Sequence, residues 1–187
     1  MEHGDIDALL SDLAKWAADT SVDEAARARS RERWLRHQAE EDARFAGLAV
    51  DLSEAGTAVA VRTTAGRVLQ GRIAAVARDF CVLRHDGGTA TLLAFEAVAM
   101  VRPERGYQAG EAASERSAPV DAGLADVLNG LAGERPRVRI VVDGGGEALA
   151  GQLRAVGADV ATVRLDGEPG GTVYVRLGSV REVTLLG

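Results

Sequence analysis

Twenty-one of the 22 basic side chains are arginine, and the places where they crowd are the first candidates for chemistry. Arg27, Arg29, Arg31, Arg33 and Arg36 fall in one stretch, with Trp34 and His37 interleaved, and Arg62, Arg67, Arg72 and Arg78 follow further on. A guanidinium presents five N–H donors in a fork that matches phosphate or carboxylate oxygens. Arg27, Arg31, Arg62, Arg67, Arg72 and Arg78 are therefore the candidate contacts for nucleic acid or another partner. Against this, i,i+4 salt bridging and plain solvation account for charged helix faces far more often, and the scarcity of lysine reads as a coding bias. Catalytic and metal-binding patterns are missing. His3, His37 and His85 have no ligand spacing with a Cys or carboxylate, so no metal and no cofactor is expected. Asp143 and the three glycines after it resemble a phosphate loop, but no Lys-Ser/Thr follows, and a hairpin turn is the better reading. No serine sits in a Gly-x-Ser-x-Gly setting. The adjacent Glu40 and Glu41 lie on a solvated helix with no apolar pocket to raise a pKa. The chain reads as a non-enzyme.

The elements that must position these residues come from a duplication. GRIAAVARDFCVLRHDG at 71–87 returns as GQLRAVGADVATVRLDG at 151–167, with seven of 17 positions identical. Those are Gly71/Gly151, Ala75/Ala155, Val76/Val156, Asp79/Asp159, Arg84/Arg164, Asp86/Asp166 and Gly87/Gly167. The chain is two copies of one folding unit.

At the N-terminal end, Ile6, Leu9, Leu10, Leu13 and Trp16 keep helical spacing and form an apolar stripe that needs a partner surface. Ile6, Leu9, Leu13 and Trp16 are the candidate self-association residues. A capping box at 21–24 opens a second helix, and from 21 to 54 only Gly47 interrupts good helix formers, so a single helix is possible with Gly47 as a bend or break. Strand runs separated by turn signals then follow at 59–63, 68–77, 80–85, 90–94 and 98–102. The segment 103–121 carries almost no large apolar residue and has Pro103 and Pro119 near its ends, so it reads as a linker. The unit restarts with a helix at 124–131 and strands near 138–142, 147–157, 160–165, 172–176 and 180–185. Gly71 and Gly151 fall mid-strand, where glycine marks a bulge or sharp bend.

The expected fold class is mainly β with an α-helical N-terminal arm, built as two tandem helix-capped five-stranded Sm-like or SH3-type small barrels. Its parts are a helical arm of two helices at 1–44, a first barrel with its leading helix at 45–103, the linker at 104–121, and a second barrel with its leading helix at 122–187. The order resembles the Sm-like family. The resemblance lies in VAVRTTAGRVLQGRIAAV at 59–76 and in the endings LLAFEAVAMV at 92–101 and VYVRLGSVREV at 173–183. It implies a small-barrel fold and, in family members that bind RNA, an Asp and an Asn after the second strand and an Arg-Gly near the fifth. This chain has Ala77, Cys81 and Val82 in the first region, and Arg102 is followed by Pro103. The RNA-contacting residues do not carry over.

Charge divides unevenly. The net charge is −6, yet residues 1–55 carry 7 basic and 13 acidic groups while residues 56–103 carry 6 and 3, so only the first barrel offers a mildly basic surface. Aromatic residues make up 4% of the chain, too few for a base-stacking platform. Cys81 stands alone among apolar neighbours, which fits a buried thiol in a reducing compartment. No secretory signal pattern opens the sequence, and no apolar run approaches the roughly 20 residues of a membrane span. A cytoplasmic protein with no membrane partner is expected. The leading functional expectation is a non-catalytic protein-interaction or self-assembly module, acting on a protein partner or on itself as a homo-oligomer. The alternative is a nucleic-acid-binding (RNA) regulator using the basic first barrel and the Arg-rich helix.

Overall fold

The computed structural model describes residues 29–31, 44–105, 107, 118–144, 148–167 and 170–186. Contacts divide the chain into Met1–Asp42 and Ala43–Gly187. Of the first unit, residues 29–31 are described and are helical. The stripe of Ile6, Leu9, Leu13 and Trp16, together with Arg27, lies outside the described residues.

In the second unit, helix α1 spans Phe45–Glu54 and leads strands β1 (Ala58–Thr63), β2 (Val68–Val76), β3 (Phe80–Arg84), β4 (Ala90–Ala94) and β5 (Val98–Pro103). Helix α2 (Leu124–Ala132) leads β6 (Arg137–Val142), β7 (Leu149–Val156), β8 (Val160–Leu165), β9 (Thr172–Arg176) and β10 (Val180–Leu186). The duplication is thus a duplication of helix plus five strands. A helix through 21–54 is not formed, because Arg44 adopts an extended backbone (φ −110°, ψ 145°) and α1 begins after it. Gly47 sits inside α1, buried, and does not break it.

The two barrels of the sequence reading do not form. All ten strands belong to one antiparallel sheet of order β5-β1-β2-β3-β4-β10-β6-β7-β8-β9, which is not closed. A five-stranded barrel needs the fourth strand of each unit to meet its own fifth. Here the second edge of β4 is taken by β10 from the other repeat, β5 pairs with β1, and β9 pairs with β8. The backbone groups that would close the first repeat are used to join it to the second.

One cluster of buried residues runs through both repeats, and β4 shows why. Thr91 and Leu93 stand beside Leu83 and Cys81 of β3 and face the core of the first repeat. Leu92 stands beside Val183 of β10, which lies opposite Ile140 in the core of the second. Thr91, Leu92, Leu93 and Ala94 are therefore all buried. A strand buried on both faces reads as an unbroken apolar run rather than an alternating one, and ATLLA is such a run.

The mid-strand glycines hold the bend. A Cβ at Gly71 would run into the backbone of Arg84, and one at Gly151 into the backbone of Arg164. A register shift follows in both repeats, between Ile73 and Ala75 and between Leu153 and Ala155, so each second strand turns sharply at the same place.

Candidate functional site: the strand seam and the open edges

The seam between the repeats pairs Glu182 with Leu93, Val183 with Leu92, Thr184 with Thr91 and Leu185 with Ala90. It mixes apolar packing with three polar links. Thr91 Oγ1 and Thr184 Oγ1 lie 2.9 Å apart, and His85 reaches Thr91 Oγ1 at 2.8 Å. Arg181 grips Asp143 of its own repeat at 2.7 Å and reaches Glu96 of the first repeat at 3.0 Å. Arg67, on the turn between β1 and β2, donates to Glu182 Oε2 at 2.7 Å.

Glu182 is the costliest of these groups. Its side chain is 1% exposed while that of Arg67 is 36% exposed. Burial pushes the Glu182 carboxyl above its ordinary value, and the Arg67 charge, then the Thr63 hydroxyl, pull it partly back. Neither Glu182 Oε1 nor Thr63 Oγ1 completes a hydrogen bond of good geometry among the described residues.

The two edges of the sheet are the repeat counterparts of this seam. Register through β1 and β6 aligns Val98, Met100, Val101, Arg102 and Pro103 of β5 with Val180, Glu182, Val183, Thr184 and Leu185 of β10. Register through β3 and β8 aligns Thr172, Val173, Tyr174 and Val175 of β9 with Ala90, Thr91, Leu92 and Leu93 of β4. The inner pair of edges is joined and the outer pair is open. Met100 is 51% exposed where Glu182 is buried, and Tyr174 is 71% exposed where Leu92 is 3% exposed. Large exposed apolar groups on an unpaired strand are what an edge-to-edge contact would cover.

The helix starts repeat the asymmetry. Asp79 of the first repeat accepts from the Leu124 backbone N–H at 2.8 Å, and Asp126 accepts from Gly123 N–H at 2.8 Å, so α2 is capped across the seam. The counterpart of Asp79 is Asp159, which is exposed, and the counterpart of Leu124 is Phe45 at the start of α1, where no side-chain cap is present among the described residues.

The structure does not bring the four candidate arginines of the first repeat to one surface. Arg62 is exposed on β1, flanked by Val68 and Met100. Arg72 lies opposite Arg84 and donates to the Gly56 carbonyl. Arg67 is committed to Glu182, and Arg78 reaches Asp121 at 3.4 Å and Asp126 at 3.2 Å beside the start of α2. Arg31 is exposed in the other unit. Among the described residues no group of His, Cys, Asp and Glu is arranged to hold a metal, and no helix is long and apolar enough to cross a membrane. Cys81 is buried, and burial pushes its thiol up to about 12.

The chain matches no protein-family model and no curated protein sequence. The functional reading therefore rests on this geometry.

Proposed function

We propose that the protein is a non-catalytic self-assembly module in which β9 of one copy pairs with β5 of the next. The observation that carries this is the seam itself: the fold already joins one fourth strand to one fifth strand, and leaves the equivalent fourth and fifth strands open at opposite ends of the sheet. Repeating the seam register between copies sets Met100 opposite Val175, Val101 opposite Tyr174, Arg102 opposite Val173 and Pro103 opposite Thr172. Tyr174 then enters the core of the next copy as Leu92 enters that of the second repeat. Asp159 comes to the uncapped start of the neighbour's α1 as Asp79 comes to α2.

This contact is heterologous, because the two surfaces differ. It generates a ring if its rotation closes and a filament if it does not. It is also weaker than the seam. Glu104 N–H donates to Ala58 O at 2.9 Å, so strand alternation turns the nitrogen of Pro103 outward, where it has no hydrogen to give. The lone buried Cys81 suits a reducing, cytoplasmic setting.

Sedimentation equilibrium over a hundredfold concentration range tests the proposal. The account expects mass to rise with concentration for the wild type and to fall to that of one chain in Tyr174→Asp and Met100→Lys. A strict monomer throughout, or an oligomer unmoved by both changes, would overturn it.

A further inference from the structure

Among the described residues the ten strands carry ten arginines and a single carboxylate, the buried Glu182. Strand propensity explains why aspartates sit in turns, but it does not favour arginine over glutamate to that degree. Four of them share the outer face of the second repeat, where Gln152 and Arg164 take the places of the directly paired Arg72 and Arg84 of the first. Arg137 on β6, Gln152 on β7 and Arg164 on β8 lie in one row across three strands, which sets the two arginine Cα atoms about 10 Å apart. Arg139 is one same-face step along β6, and Arg154 donates to Gln152 Oε1 at 2.9 Å. Arg137 reaches Asp166 at 2.9 Å. Arg139, Arg154 and Arg164 meet no carboxylate among the described residues, and all four arginines are exposed.

The first repeat supplies the control. By register, Arg137, Arg139 and Arg154 stand where the first repeat has Ala58, Ala60 and Ala74. The same scaffold is built with alanine at all three positions, so folding does not require the arginines. Asp166 offsets Arg137 alone, and holding the other arginines beside it around one glutamine carries a repulsive cost that a bound anion would remove.

We infer that the outer face of the second repeat is a docking surface for the phosphate backbone of duplex DNA. Charge complementarity argues for a polyanion. The outer surface of a curled sheet suits a polymer better than a small molecule, which takes a concave site. Strands β6, β7 and β8 carry no aromatic ring, and the exposed Tyr174 on the neighbouring β9 is a single ring, which is too little to stack a run of unstacked bases. Its one amide, Gln152, is engaged by Arg154, which leaves little to read the 2′-hydroxyls by which RNA duplexes are recognised. The net charge of −6 does not cancel this, since carboxylates beyond a Debye length of about 10 Å at 0.1 M salt are screened. Arg164 borders the open edge, since it stands opposite Thr172 of β9, but Arg137, Arg139 and Arg154 lie on β6 and β7, and the inference does not require strand pairing.

Fluorescence anisotropy of a short labelled DNA duplex with the full chain tests it. Four phosphate contacts per chain give a log–log salt slope of about −3.6, so affinity should fall about 150-fold between roughly 50 and 200 mM salt. The triple change Arg137→Ala, Arg139→Ala, Arg154→Ala installs the residues of the first repeat and should leave one contact, a slope near −0.9 and about a 3- to 4-fold salt effect. Arg164→Gln alone, an exposed substitution, should give a slope near −2.7 and about a 40-fold effect. No binding at the lower salt, or the same slope in both variants, overturns the site. Tighter binding of single strands or of duplex RNA overturns the assignment to duplex DNA.

Discussion

Replacing Glu182 by methionine, the residue its repeat counterpart Met100 supplies, should stabilise the protein. In the wild type a carboxylate with a 1% exposed side chain is held by one arginine at 2.7 Å. At an effective dielectric near 20 that attraction is worth about 6 kcal/mol gross. Against it stand a desolvation cost of several kcal/mol per buried ion and about 1–3 kcal/mol for the unpartnered Oε1. The raised carboxyl pKa says that burial outweighs the attraction. Methionine of similar volume removes the cost and frees Arg67 to solvent, so a gain of about 2 kcal/mol is expected, read as a rise of about 4–8 °C in Tm. The pH dependence carries a sign. Because the folded-state pKa lies above the unfolded value of 4.5, the folded protein binds the proton more tightly. The contribution of Glu182 is most favourable below the unfolded pKa and is lost as pH rises through the folded one. The advantage of methionine should therefore shrink as pH falls towards 4.5 and level off near neutrality. Urea unfolding of both proteins across that range is the assay. A variant less stable than wild type by about 1 kcal/mol at neutral pH, or an advantage constant with pH, would refute the reasoning.

Three further outcomes follow from the same packing. Gly71→Ala and Gly151→Ala both drive a Cβ into the backbone of the neighbouring strand, so each should cost about 3 kcal/mol or abolish folding, measured by chemical denaturation. Asp79→Ala removes the cap from α2 and should cost about 1 kcal/mol at any protein concentration, whereas Asp159→Ala should leave the single chain's unfolding unchanged and weaken association. Cys81, with its thiol pushed up to about 12 by burial, should resist alkylation at pH 8 in native protein and react at once in denaturant; equal rates would contradict its placement.

Much of the architecture is legible in the sequence. Turn residues and β-branched runs marked the strands, and the repeat of Gly71 as Gly151 marked the bends. What the sequence could not convey was the partner of β4. Whether a fourth strand meets its own fifth or another repeat's fifth depends on contacts between residues some ninety positions apart, such as Thr91 with Thr184, and local pattern is blind to it. A signal was present in ATLLA at 90–94, whose lack of alternation fits burial on both faces better than one wall of a barrel. Arg67 looked like its exposed neighbours because nothing local announces a carboxylate 115 residues away. The arginine cluster of the second repeat was open to inspection, since setting Ala58, Ala60 and Ala74 beside Arg137, Arg139 and Arg154 needs only the alignment. It is hidden in the net charge, because residues 134–187 carry seven groups of each sign and only the fold sorts them between strands and turns.

Disulfide trapping of the open edges tests the central claim most directly. Thr91 and Thr184 touch through their hydroxyls at the seam, so their counterparts Val173 and Arg102 should touch between copies. Under mild oxidation the double variant Arg102→Cys, Val173→Cys should give a ladder of covalent multimers, while each single variant and the wild type, with only the buried Cys81, should stay uncrosslinked beyond background. A double variant that remains a single chain, or single variants that crosslink as well, would contradict head-to-tail pairing of β9 with β5.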